Sequence, residues 1–120
     1  MQKSYFMNFE IRTLEVFDRQ AKRLAKHYTS FRQDYINLLQ ELQENPLAGT
    51  DLGGGIRKVR MAIASKGKGK SGGARVITYT ADIILHAKEG TLILLSIYDK
   101  SEHSTISDKE IKRLKELAIS

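Results

Sequence analysis

The sequence predicts an α+β domain: a small, mostly antiparallel β-sheet with two helices ahead of it and one behind. Three observations carry that reading. Apolar residues recur at helical spacing between Leu14 and Leu42, in two successive stripes. β-rich segments with period-2 alternation follow between Lys58 and Tyr98, near enough to one another for antiparallel pairing. A last helical stripe comes at Ile111, Leu114 and Leu117. A chain of 120 residues can build one core but not two, so residues 1–120 read as one domain with its helices on one face of the sheet.

Asn8 to Arg12 is a short candidate strand. Thr13 is placed to cap a helix whose stripe is Leu14, Phe17, Ala21, Leu24 and Tyr28, with Asp18, Arg19, Lys22, Arg23 and Lys26 opposite. Ser30 and Gln33 have capping-box spacing and open a second helix through Tyr35, Leu38, Leu39 and Leu42. That helix ends at Asn45-Pro46, because proline disfavours the helical conformation of the residue before it. Gly49 to Gly55 reads as a loop. Beyond it Val59, Met61 and Ile63 alternate with Lys58, Arg60 and Ala62, which puts Lys58 and Arg60 side by side on an exposed strand face. Ala74 to Thr80 and Asp82 to Ala87 are β-rich, one strand with a bend. Lys88-Glu89-Gly90 is a turn, and the evenly apolar Thr91 to Tyr98 is a central strand. Ser107 and Glu110 form a capping box for the final helix.

Composition narrows the function. With 41% apolar and 28% charged residues the chain is globular rather than disordered. It has no cysteine, and His27, His86 and His103 have no metal-ligand spacing, so neither thiol chemistry, a metal nor a cofactor is expected. His27 reads as a helix-end cation and His86 as a strand residue, both structural. Apolar runs such as Leu92 to Leu95 are far too short to span a membrane, and the first residues lack the apolar region of a secretory signal. A soluble cytoplasmic protein is expected.

The charge is concentrated. Ile56 to Ile77 holds Arg57, Lys58, Arg60, Lys66, Lys68, Lys70 and Arg75, and no Asp or Glu occurs between Asp51 and Asp82. With a net charge of +6, this stretch is suited to a polyanion, nucleic acid above all. Gly67 to Gly72 matches GxGxxG, and Gly69-Lys70-Ser71 resembles the end of a P-loop. Both motifs need a helix next, and ARVITYT is a strand; the P-loop's first glycine would also fall at Ala64. The segment is a Gly/Lys turn between strands.

If the partner is RNA, Lys66, Lys68 and Lys70 on the turn suit backbone phosphates, while Lys58, Arg60 and Arg75 are fixed on strands. Fixed cations suit phosphodiester cleavage, because attack by a ribose 2′-OH loads negative charge onto the phosphorane oxygens. Proton transfer falls to a lysine of the patch, depressed by its like-charged neighbours, or to His103, whose imidazole titrates near neutrality. Tyr98 either stacks on a base or closes the core.

Gly55 to Arg60, Ser65 to Ile77 and Leu94 to Glu102 resemble the RelE/HigB toxins of bacterial type II toxin–antitoxin systems, most closely the HigB-type branch with a lysine-glycine turn. The resemblance runs from about Phe9 to the last helix and implies a RelE/ParE-like fold. It implies a ribonuclease that cuts translated mRNA in the ribosomal A site, leaving a 2′,3′-cyclic phosphate, and a tight antitoxin partner of helix-turn-helix type. It also implies active-site roles for Lys58, Arg60 and Arg75 and RNA or ribosome contacts for the turn lysines. With the chemical reading above, the candidate catalytic residues are Lys58, Arg60, Arg75 and His103, and the candidate RNA contacts are Arg57, Lys66, Lys68, Lys70, Tyr98 and Lys100. Several members carry an arginine after the last strand and a later tyrosine; here His103 stands near the arginine position and no tyrosine follows Tyr98. Two rivals remain: a ParE-like DNA gyrase inhibitor on the same fold, and a non-catalytic RNA- or ribosome-binding module.

Overall fold

The computed structural model describes residues 9–80, 82–83, 89–103 and 105–120. The elements are β1 (Glu10–Thr13), α1 (Glu15–His27), α2 (Phe31–Glu44), β2 (Thr50–Gly53), β3 (Ile56–Met61), a 3₁₀ turn (Ala64–Lys66), β4 (Ala74–Thr80), β5 (Thr91–Asp99) and α3 (Asp108–Ile119). One sheet runs in the order β1-β5-β4-β3-β2, antiparallel throughout except that β1 lies parallel to β5. The α+β class expected from the sequence is the one observed. Much of the expected strand from Asp82 to Ala87, with His86, and part of the turn at Lys88 lie outside the described residues.

The stretch expected to be a loop at Gly49 to Gly55 is a hairpin instead, β2 pairing with β3. Every residue of β2 is exposed, so no apolar alternation announces it. The helices also divide between the two faces rather than sharing one. Phe17, Leu24, Leu38 and Leu42 of α1 and α2 pack on Val59, Met61, Val76 and Leu94. On the other face Leu114 of α3 packs on Ile56, Ile77, Leu95 and Tyr98. The central strands are apolar on both sides, and such a sheet must be covered twice. Leu117, expected in the α3 stripe, is half exposed.

A bulge in β5 sets what faces where. Ile77 pairs with Ser96 and Thr78 with Leu94, which leaves Leu95 as the extra residue. Leu92, Leu94 and Ile97 therefore all reach the α1/α2 core, while Ile93, Leu95 and Tyr98 reach the α3 side. A one-residue slip inverts every later side chain, so without the bulge Tyr98 would point the other way. Gln20 of α1 secures it, its side-chain oxygen accepting from Ile97 N–H at 2.9 Å and Ser96 Oγ at 3.1 Å.

Local capping follows the sequence only in part. Ser107 Oγ accepts from Glu110 N–H at 3.1 Å, as its spacing predicts. Thr13 ends β1, and Leu14 takes the N-cap of α1. Ser30 holds the N-cap of α2 without a capping bond. Its hydroxyl donates to Asp34 at 2.7 Å and accepts from Ser65 N–H at 2.9 Å, and Asp34 accepts from Ala64 N–H at 3.1 Å. The start of α2 thus fastens the 3₁₀ turn that opens the Gly/Lys segment.

The other fastening is Asp99, 2% exposed at the end of β5. Its carboxylate accepts from Lys66 Nζ at 2.6 Å, from Ser101 N–H at 2.9 Å, from Ser101 Oγ at 2.7 Å and from the Tyr28 hydroxyl. Burial alone would push this carboxyl up, but the hydrogen bonds from Lys66, Tyr28 and Ser101 hold it well below the ordinary carboxylate range. A depressed native pKa gives stability that is fully present above the unfolded value near 4 and is lost as pH falls toward the native value. Asp99→Asn, which leaves the Lys66 ammonium without its counter-ion, is expected to cost about 3 kcal/mol at pH 7. In urea titrations the gap between the two proteins should narrow steadily below about pH 4; a gap that does not change with pH would disprove the linkage.

Gly73 marks the seam between the end of β3 and the start of β4. A Cβ there would collide with Met61 O and approach Ile63 N to 3.0 Å, and both atoms are backbone. Gly73→Ala should therefore cost about 3 kcal/mol, as overpacking against an unyielding wall does, which a thermal-shift comparison with wild type will show.

Candidate active site

Strand register assembles one row of side chains from three strands. Arg60 pairs with Arg75 and Arg75 with Tyr98, so all three leave the sheet on the same face, the one that α3 covers farther along. Lys58, two residues before Arg60 and opposite Ile77, shares that face. The His103 ring meets the Tyr98 ring edge-on with centroids 6.0 Å apart. His103 is held in place by its N–H, which donates to the carbonyl of Asp99 at 3.0 Å. The site thus combines Lys58, Arg60, Arg75, Tyr98 and His103.

Within the row the environments differ. Arg60 is exposed and Lys58 partly so, and neither has a carboxylate partner among the described residues. Arg75 is only 5% exposed. Its Nη1 donates to the carbonyls of Lys70 at 3.1 Å and Ala74 at 3.2 Å, and Nη2 to that of Ser71 at 3.0 Å. It clamps the end of the Gly/Lys turn onto β4, which the image of a strand-borne surface cation did not anticipate. Tyr98 is buried as well, and its hydroxyl has no hydrogen-bond partner among the described residues. Burial pushes the phenol up and the nearby Arg75 charge works against that, so it remains a protonated donor at neutral pH.

The other cations scatter. Strand alternation sends Arg57 to the face opposite Lys58, where it donates to Thr80 Oγ1 at 3.0 Å and lies 3.9 Å from Asp51. Lys66, expected free on a flexible turn, is buried in its ion pair with Asp99, its Nζ 5.6 Å from the centre of the Tyr28 ring. Lys70 pairs with Glu41 of α2 at 3.2 Å. Lys68 and Lys100 are exposed. Counter-ions missing from the local sequence therefore arrive from 29 residues away for Lys70 and 33 for Lys66. Local sequence gives no sign of Glu41 as a partner, whereas Asp99, a carboxylate closing an apolar strand, carries a signal of its own, since a buried charge needs a partner.

The Gly/Lys segment runs into β4 with no intervening helix, so neither nucleotide motif has the helix it needs. Among the described residues no three His, Asp or Glu side chains converge as a metal site would require, and no helix is long and apolar enough to cross a membrane. The arrangement offers fixed and exposed cations on one face, beside a buried phenol and an imidazole. The family model described as the RelE toxin of the RelE / RelB toxin-antitoxin system matches residues 15–120, which takes in this whole face and every element after β1, and the chain belongs to that family of toxins.

Proposed function

We propose that this protein is a HigB-like, ribosome-dependent mRNA endoribonuclease acting in the cytoplasm. RelE toxins generally cleave mRNA and are held in check by an antitoxin. The helix-turn-helix type of that antitoxin is part of the proposal. The observation that supports the reading most is the Arg60-Arg75-Tyr98 row, with Lys58 beside it and His103 edge-on to Tyr98.

In this mechanism an mRNA phosphodiester in the ribosomal A site lies across Lys58 and Arg60. His103 takes the proton of the 2′-OH, and the 2′-oxygen attacks the adjacent phosphorus. The bond to the 5′-oxygen breaks, and the Lys58 ammonium gives that oxygen its proton, leaving a 2′,3′-cyclic phosphate and a 5′-hydroxyl. Arg60 stabilises the charge on the phosphorane oxygens. The Tyr98 ring meets the His103 ring edge-on and holds the imidazole at the site. Arg75 acts on the site through the turn that it clamps, and Lys68 and Lys100 contact flanking phosphates.

Arg60 is exposed and its side chain makes no hydrogen bond or ion pair among the described residues, so Arg60→Gln should fold normally and lower single-turnover cleavage on programmed ribosomes about 100-fold or more. Mapping transcript 5′ ends after induced expression provides the companion test. Arrest with cuts inside translated frames, lost in Arg60→Gln, is expected; arrest without cuts points to a gyrase-type toxin, and intact transcripts without arrest to a binding module.

Tyr98→Phe should separate stability from activity. Removing a buried hydroxyl without a partner should raise stability by about 1 kcal/mol, while cleavage stays near the wild-type rate because the ring against His103 is kept. A large loss of cleavage in a stabilised Tyr98→Phe protein would show that the hydroxyl itself reaches the RNA.

A further inference from the structure

β2 begins at Thr50, opposite Lys58, and among the described residues the rest of that β3 edge has no strand neighbour. Beside that edge is a groove of about 230 Å³, with Lys58, Arg60, Lys70, Glu41, Gly49 and Thr50 among its walls. The groove lies at the sheet edge, between the α2 face that carries Glu41 and the strand that carries Lys58 and Arg60. Gly49, at φ +97°, is one of its walls: a Cβ there would come within 2.5 Å of Lys58 O, so only glycine lets the chain pass. Glu41 and Lys70 also line a second depression of about 170 Å³ on their other side, bounded by Asp34 and Met61. Their ion pair therefore stands between two hollows along the open edge.

The two partners are held differently. The backbone of Lys70 is fixed, because the buried Arg75 guanidinium holds its carbonyl at 3.1 Å. Its side chain is 57% exposed and meets Glu41, itself 40% exposed, at 3.2 Å. Such a pair contributes little to stability and exchanges readily for another anion. An ammonium on an anchored stem, facing the groove that holds Lys58 and Arg60, is suited to a phosphate.

We infer that this groove is an accessory phosphate subsite for single-stranded RNA, in which Glu41 serves as the resident counter-ion of Lys70 and is displaced by a backbone phosphate of the RNA. The inference rests on the reading of the protein as an RNA-cleaving toxin, but it concerns binding and not the cut. Glu41 is thus a negative determinant of affinity: its carboxylate competes with the ligand for Lys70.

The test is a double-mutant cycle in binding, using a fluorescent 2′-O-methyl RNA dodecamer that 2′-OH chemistry cannot cleave, titrated at several salt concentrations. Glu41→Gln should bind about two- to fivefold more tightly, the range an exposed ion pair commands. The dependence of log K on log salt should steepen by about 0.7, one extra phosphate contact on a single strand. Lys70→Gln should bind more weakly, and adding Glu41→Gln to Lys70→Gln should change nothing further. An equal gain from Glu41→Gln with and without Lys70 would mean general net charge, and would overturn the subsite. Unchanged binding by Glu41→Gln would overturn it as well. Because the probe cannot be cut, failure of the cycle beside intact mRNA cleavage rejects only this inference. A cycle that succeeds in a protein that cuts nothing rejects the nuclease reading and leaves the subsite standing.

Discussion

The buried carboxylate of Asp99 is the constraint on which the working face depends. It closes β5 and accepts hydrogen bonds from the residue after α1, from the base of the Gly/Lys turn and from the loop that follows the strand. Those three segments meet at this one carboxylate. Held together, they fix where the turn stands relative to Tyr98 and where His103 lies against it. A buried ion pair recovers its desolvation cost only when the remaining lone pairs are satisfied. Here Ser101 and Tyr28 satisfy them, so Asp99 and Lys66 define one arrangement of the loops instead of several.

Much of the fold was legible because it follows from local periodicity. The alternation that sets Lys58 and Arg60 against Val59 and Met61 is a property of the strand itself, and burial follows it residue by residue. The stripes of α1 and α2 are equally local. What could not be read depends on partners distant in sequence. β2 is an exposed edge strand with no apolar pattern. The two-sided covering of the sheet follows from topology, and the parallel pairing of β1 with β5 joins segments about 80 residues apart. Ser30 shows the same limit in miniature: the spacing Ser30-Gln33 fits a capping box, yet its hydroxyl is taken by Asp34 and Ser65.

The candidate site was legible to a similar depth. That Arg60, Arg75 and Tyr98 occupy neighbouring strands follows from alternation and turn placement. That they form a row depends on the β5 bulge, which no propensity announces. The seven cations of Ile56 to Ile77 looked alike as a sequence because none had a nearby carboxylate. Folding divides them: Lys66 becomes a strut, Lys70 an exposed pair, Arg57 a half-buried contact on the far face, and Arg75 a clamp. Charge density along a chain therefore overstates the charge that the folded surface presents to a ligand.

That division also explains why position 75 suits arginine. Three backbone carbonyls, those of Lys70, Ser71 and Ala74, converge on a buried cation. A guanidinium meets them with donors in a fixed planar fork, whereas an ammonium is a single compact charge that loses more hydration on burial. Like charges gathered in one segment repel, and the repulsion must be offset within the fold if the face is to stay rigid enough to be useful. The cations that hold structure are offset by carbonyls and carboxylates beneath the surface. Lys58 and Arg60, at the exposed end of the row, carry no such partner among the described residues, so their charge is the part left for a ligand to neutralise. The rigidity of the buried cations and the availability of the exposed ones are two sides of a single arrangement, with Asp99 and Arg75 fixing the frame within which Lys58 and Arg60 remain free.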